Sequence, residues 1–155
     1  MKKTNAIRIL ERHKIAYDTV AYQYDPANLA LDKIAADNDL ELKAVYKTLV
    51  AKGDKTGVVI AVVTGDQELN FKALAKASGN KKITLVAVKE LQGLTGYIRG
   101  GCSPLGMKKE YPVFIEAVAE QLEQMYVNAG VRGVLVGLSP NELGRATKGV
   151  FAEIC

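Results

Sequence analysis

Histidine, cysteine and long apolar runs are all scarce in this chain, and each scarcity removes a class of function. The only histidine is His13, and the only cysteines are Cys102 and Cys155, far apart in sequence. They form no C-x-x-C pair, no metal-ligand spacing and no disulfide framework, so no metal, no cofactor and a reducing cytoplasmic setting are expected. The opening segment MKKTNAIRILERHK sets Arg8, Glu11, Arg12 and His13 where a signal peptide would have its apolar core. No run approaches the ~20 apolar residues of a membrane span, and no membrane contact is expected.

Charge of one sign is also in short supply. Lys and Arg number 21 against 17 Asp and Glu, a formal charge of +4. That tilt favours an anionic partner but lacks the dense basic stripe of a duplex-DNA reader, so DNA is not expected. A length of 155 residues fits one domain, with 48% hydrophobic and 25% charged residues typical of a folded core.

The pattern along the chain alternates strand and helix. Thr4 caps an amphipathic helix ending before Ile15, and residues 16–22 read as a strand stopped by Asp25-Pro26. A helix is expected over 29–38. Residues 45–50 and 57–63 then form a hairpin through the turn at 53–57, and its second arm, VVIAVV, is apolar on both faces and belongs at the centre of a sheet. Asn70 and Gly79 bracket a helix. A short strand over 83–86, a helical turn over 89–91, a strand over 112–115 and a helix over 118–124 follow. Strands at 126–127 and 131–138 lead to a last helix with Ser139 as cap and Pro140 at its first position. A strand at 151–154 is expected to close the sheet. The fold class is therefore α+β: one domain over residues 1–155, a curved or barrel-like mixed sheet with peripheral helices.

Two places invite chemistry. Residues 95–109, TGYIRGGCSPLGMKK, gather four glycines, a proline and a serine. Such a loop can aim backbone N–H groups and the Ser103 hydroxyl at an anion or oxyanion, although it matches neither a P-loop nor a dinucleotide fingerprint. Lys47, in Tyr46-Lys47-Thr48, interrupts an apolar strand. It serves either as a fixed charge for a carboxylate or phosphate, or as an edge guard against aggregation. Cys102 invites a nucleophile reading, but no histidine is near it in sequence, and a small apolar filler is the other role open to it. Asp25, Asp32, Asp66 and Glu68 sit where helix and turn caps belong.

The segments VYKTL (45–49), TGYIRGGCSPLGMKK (95–109) and RG within YVNAGVRG (126–133) together resemble the YbaK/EbsC family of free-standing aminoacyl-tRNA deacylases. These are relatives of the editing domain inserted in bacterial prolyl-tRNA synthetases. The resemblance runs over essentially the whole chain. It implies a trans-editing enzyme that binds the 3′ end of mischarged tRNA and removes the wrong amino acid, most of all cysteine from Cys-tRNA(Pro) and, second, from Cys-tRNA(Cys). Carried onto this chain, the family's essential lysine falls on Lys47, with Thr48 beside it and the first-strand tyrosine on Tyr22. Its loop falls on Gly100 to Pro104, with Gly100 and Gly101 facing the ester and Ser103 and Pro104 beside them. Tyr97, Asn128 and Arg132 complete the expected cleft.

The family chemistry also implies an activated ester, cleaved by the substrate's own thiol or by water, with prolyl-tRNA synthetase as a partner. The chain departs from the pattern of the cysteine-editing members at Asn128, where the best-known of them has a serine, and at Leu135, where it has an acid. Two other classes stay open at this point: a module that holds an RNA end or nucleotide without turnover, and a hydrolase dependent on Cys102.

Overall fold

The computed structural model describes residues 3–155. Helix α1 (Asn5–Arg12) starts where Thr4 accepts from the Ile7 N–H at 3.2 Å. Strand β1 (Asp18–Ala21) and helix α2 (Leu31–Asp37) follow. The hairpin of β2 (Tyr46–Gly53) and β3 (Gly57–Thr64) forms the centre of a five-stranded sheet ordered β4-β2-β3-β5-β8. Its other strands are β4 (Ile83–Leu85), β5 (Val113–Glu116) and β8 (Val150–Ala152). A second sheet has the order β1-β7-β6, with β6 at Met125–Asn128 and β7 at Val134–Leu138. Helices α3 (Phe71–Ser78), α4 (Val88–Thr95) and α5 (Pro140–Thr147) complete the α+β domain.

VVIAVV is central, as expected: Ile60 to Val63 are wholly buried. Because β3 is apolar on both faces, alternation alone cannot fix its register. The turn does so. Buried Asn80 accepts from the N–H groups of Lys55 and Thr56 at 2.8 and 3.0 Å, clamping the hairpin tip. Ile60, Val62 and Ile115 then face Met125, Val127 and Val136 of the small sheet, while Ala61 and Val63 face Leu74 of α3. On its far side the small sheet packs Tyr22 and Leu135 against Ile34 of α2. Each such aliphatic side chain contributes about 1.5–3 kcal/mol on burial.

Several expectations are corrected. The sheet does not close into a barrel, since among the described residues β8 pairs only with β5 and the backbones of the two sheets pair at one parallel bridge, Val45 to Tyr126. The turn at 89–91 is part of a full helix, α4, stopped by Gly96 at φ +84°. The helix over 118–124 is a 3-10 turn, Ala117–Gln121. Glu116 sets it, since one carboxylate oxygen accepts from the Val118 N–H and the other from the N–H groups of Ile154 and Cys155. No helix among the described residues is long and apolar enough to cross a membrane.

Candidate active site in the splay between two strands

The bridge at Val45–Tyr126 is where β2 and β6 part company. Beyond it β6 no longer pairs with β2, and β4 takes up the same edge only from Ala51 onward. The gap between is a cleft of about 780 Å³, within the usual range of ligand sites. Thr48 lines it from β2, Asn128 and Leu135 from the small sheet, Tyr22 from just past β1, and Gly100 with Cys102 from the glycine-rich loop. Helix α2 and the segment before it add an apolar wall that includes Leu29, Leu31 and Ile34.

Alternation along β2 places Lys47 on the opposite face from Thr48. Its ammonium still borders the cleft, with its side chain 29% exposed and Glu68 as a loose counter-ion at 4.0 Å. Glu68 is itself 96% exposed, so the pair is weak and leaves the cation available. Arg99 is the other cation of the lining, against the carboxylates of Asp32, Asp66 and Glu68.

The loop is held in shape by two struts. Gly101 N–H donates to Ile98 O at 2.9 Å, closing a tight turn whose third residue, Gly100, has φ +83°. Asn128 then donates from Nδ2 to Gly100 O at 2.8 Å and to the Tyr22 hydroxyl at 3.2 Å, while its Oδ1 accepts from Gly130 N–H at 2.8 Å. Arg132 Nε donates to Arg99 O at 2.9 Å. The amides of Gly100 and Cys102 make no intramolecular hydrogen bond among the described residues and belong to residues that line the cleft.

The expected site residues therefore separate into two groups. Lys47, Thr48, Tyr22, Asn128 and Gly100 line one cleft. Gly101, Ser103, Pro104, Tyr97 and Arg132 do not. The Gly101 amide is already spent on Ile98. Ser103 is fully buried, its Oγ accepting from the Leu105 N–H at 3.2 Å, and Pro104 is buried beside it. Tyr97 is buried beneath the loop and donates to Leu105 O at 2.7 Å. Burial pushes its phenol well above the usual range. These residues shape the loop from below, and Arg132 does so from its rim. Sequence reasoning missed the wall from α2, the cleft placement of the Asp66 and Glu68 carboxylates, and Arg99; no local spacing signals them, because they come from separate segments.

Replacing Asn128 with Leu removes three hydrogen bonds and leaves Gly100 O and Gly130 N–H without that partner. Deacylation is expected to fall about tenfold or more, with a loss of about 1–3 kcal/mol in urea unfolding.

Cys102 borders the cleft, but burial pushes its thiol up to about 11. A thiol that stays protonated at neutral pH is a poor nucleophile, and His13 is not part of the lining. Cys102→Ala is expected to keep kcat within about threefold of wild type, measured by single-turnover deacylation. Complete loss of activity would restore the nucleophile reading.

A family model described as aminoacyl-tRNA editing domain matches residues 25–146. EbsC of Enterococcus faecalis, provisionally named a Cys-tRNA(Pro)/Cys-tRNA(Cys) deacylase, is 45% identical over 99% of this chain and 93% of its own. A proline–tRNA ligase of Thermosipho africanus is 29% identical over 64% of this chain and 18% of the ligase. A solved structure described provisionally as a trans-editing enzyme for prolyl tRNA synthetase superposes with a TM-score of 0.81 at 21% identity, covering 99% of this chain and 98% of that one, which bears on fold alone. With the model spanning most of the sequence and a near full-length relative at 45% identity, the chain belongs to the aminoacyl-tRNA editing domain family.

Proposed function

We propose that this aminoacyl-tRNA deacylase clears cysteine from mischarged tRNA, Cys-tRNA(Pro) first and Cys-tRNA(Cys) second. The observation that carries the reading is the meeting of Lys47 with the free amides of Gly100 and Cys102 in one cleft whose lining includes no histidine to activate Cys102. An aminoacyl ester is already activated, so positioning and oxyanion stabilisation suffice.

In the cysteine case the substrate's own sulfur attacks the ester carbonyl carbon, the amides receive the developing oxyanion, and the C–O bond to the terminal ribose breaks. The ribose oxygen takes the proton that the thiol gives up, and a cyclic thiolactone leaves. Lys47 anchors the terminal phosphate or polarises the reacting carbonyl. Leu135, buried in the cleft wall, puts an apolar surface where an acid was expected. That favours a small apolar amino acid such as alanine, cleaved by water, as the second reading. So small a domain reaches few tRNA identity elements, which points to prolyl-tRNA synthetase as a partner and to the cytoplasm as the place of action.

The test is a panel of Cys- and Ala-charged tRNA(Pro) and Cys-tRNA(Cys), with and without the synthetase. Faster loss of cysteine from tRNA(Pro), with a thiolactone in the products, supports the reading. Survival of every charged tRNA sinks it, and salt-sensitive RNA binding without turnover would assign a binding module instead.

A further inference from the structure

We infer that Thr48 seats the free α-ammonium group of the aminoacyl ester, an inference that rests on the deacylase reading. It begins with the pairing of β2. Gly65 N–H donates to Val45 O at 2.8 Å, and Val86 N–H donates to Val50 O at 3.0 Å. Odd-numbered residues of β2 therefore turn their main-chain groups toward β3, and even-numbered ones toward the opposite edge.

That edge is taken at both ends, by β6 at the Val45–Tyr126 bridge and by β4 from Ala51 onward. Thr48 lies between, with its N–H and C=O facing the splay. Its side-chain Oγ1 is buried and has no hydrogen-bond partner among the described residues, and the residue lines the cleft. Main-chain groups and hydroxyls withdrawn from water are nearly always paired. The Thr48 hydroxyl has no such pairing among the described residues, and the strand edge beside it is open to an occupant.

Two acceptors from one residue, the carbonyl and the hydroxyl oxygen, suit a group rich in donors. An anion would meet carbonyl oxygen head-on and be repelled. The charge of the lining agrees, since Asp32, Asp66 and Glu68 outnumber Lys47 and Arg99. Within an aminoacyl-tRNA end the one cationic, donor-rich group is the α-ammonium. Holding it at the strand edge fixes the α-carbon and so presents the neighbouring ester carbonyl to the loop. The recognition is of the amino acid's common part, independent of its side chain.

The experiment compares cysteinyl-tRNA(Pro) with 3-mercaptopropionyl-tRNA(Pro), which keeps the thiol and lacks the amine. Each enzymatic rate is divided by the uncatalysed rate of the same ester. Wild type is expected to favour the amine by about 10- to 100-fold, the range for a hydrogen bond to a charged group. Thr48→Val should narrow this preference to about a few-fold, and Thr48→Ser should keep it. The ratio comes from one preparation, so partial misfolding of a variant does not move it. Equal acceleration of both esters, or an unchanged preference in Thr48→Val, overturns the inference while leaving the deacylase reading intact. Acceleration of neither ester overturns the deacylase reading, and the seat for the ammonium falls with it.

Discussion

Lys47→Ala is expected to lower kcat/KM for deacylation about 100- to 1,000-fold, the usual cost of deleting a preorganised electrostatic contact. Stability should hardly change. The Lys47 side chain is 29% exposed and its one ion pair among the described residues is the 4.0 Å contact with exposed Glu68, worth at most about 1 kcal/mol. Normal unfolding beside lost turnover would separate chemistry from folding. If Lys47 grips a phosphate, the loss falls mainly on KM; if it polarises the carbonyl, mainly on kcat. Lys47→Arg keeps the charge but spreads it over a planar fork and is expected to restore only part of the rate. Wild-type activity in Lys47→Ala would return this lysine to the role of an edge guard.

The second large effect is expected at Gly100. An added Cβ would lie 2.9 Å from Leu29 Cδ1 and 3.1 Å from Arg132 Nε, on backbone at φ +83°. Gly100→Ala therefore meets both strain and crowding, at a cost of about 1–3 kcal/mol in stability. The catalytic cost is larger. The same residue supplies an amide to the cleft and the carbonyl that Asn128 grips, and a shift of about 1 Å there can lower the rate about 100-fold. Gly79→Ala is the control. Gly79 has φ +79° with open space around its would-be Cβ, so it should lose about 1 kcal/mol and no activity. Equal activity loss in the two variants would mean that general destabilisation, rather than the loop, is responsible.

The central hairpin and the helix starts were legible because their signals are local. Thr4, Asn70 and Ser139 each accept from an N–H three residues on, and VVIAVV has a composition that fits only a doubly covered strand. Residues 118–124 misled because Val118, Ala119 and Leu122 carry helical spacing, while Glu116 ties the start of that segment to the far C-terminal residues. No local pattern contains that tie. Helix α4 exceeds the expected turn at 89–91 because its signals are weak in sequence: no side chain caps it, and Gly93 lies within it.

The same division holds at the site. Lys47 and the glycine loop stood out by composition and resemblance. Which loop amide is free did not, because loop backbone has no period from which orientation could be inferred; only the turn at Ile98 reveals that Gly101 is occupied. Tyr97 by its place beside the loop in sequence, and Arg132 by the RG motif of the resemblance, are expected in the cleft, yet their hydrogen bonds run to loop carbonyls.

The parting of β2 from β6 at the Val45–Tyr126 bridge also limits how this enzyme can be retuned. A parallel ladder lengthens in steps of two residues, about 6.6 Å at a time, so one more step of pairing would take up Thr48 and erase much of the opening. Depth is thus a coarse setting, either kept or lost. Fine adjustment between amino acids that differ by a methyl or a thiol is left to the side chains along the walls, and substitutions at Leu135, which lines the cleft without bracing the loop, should trade one substrate for another before any change in backbone pairing does.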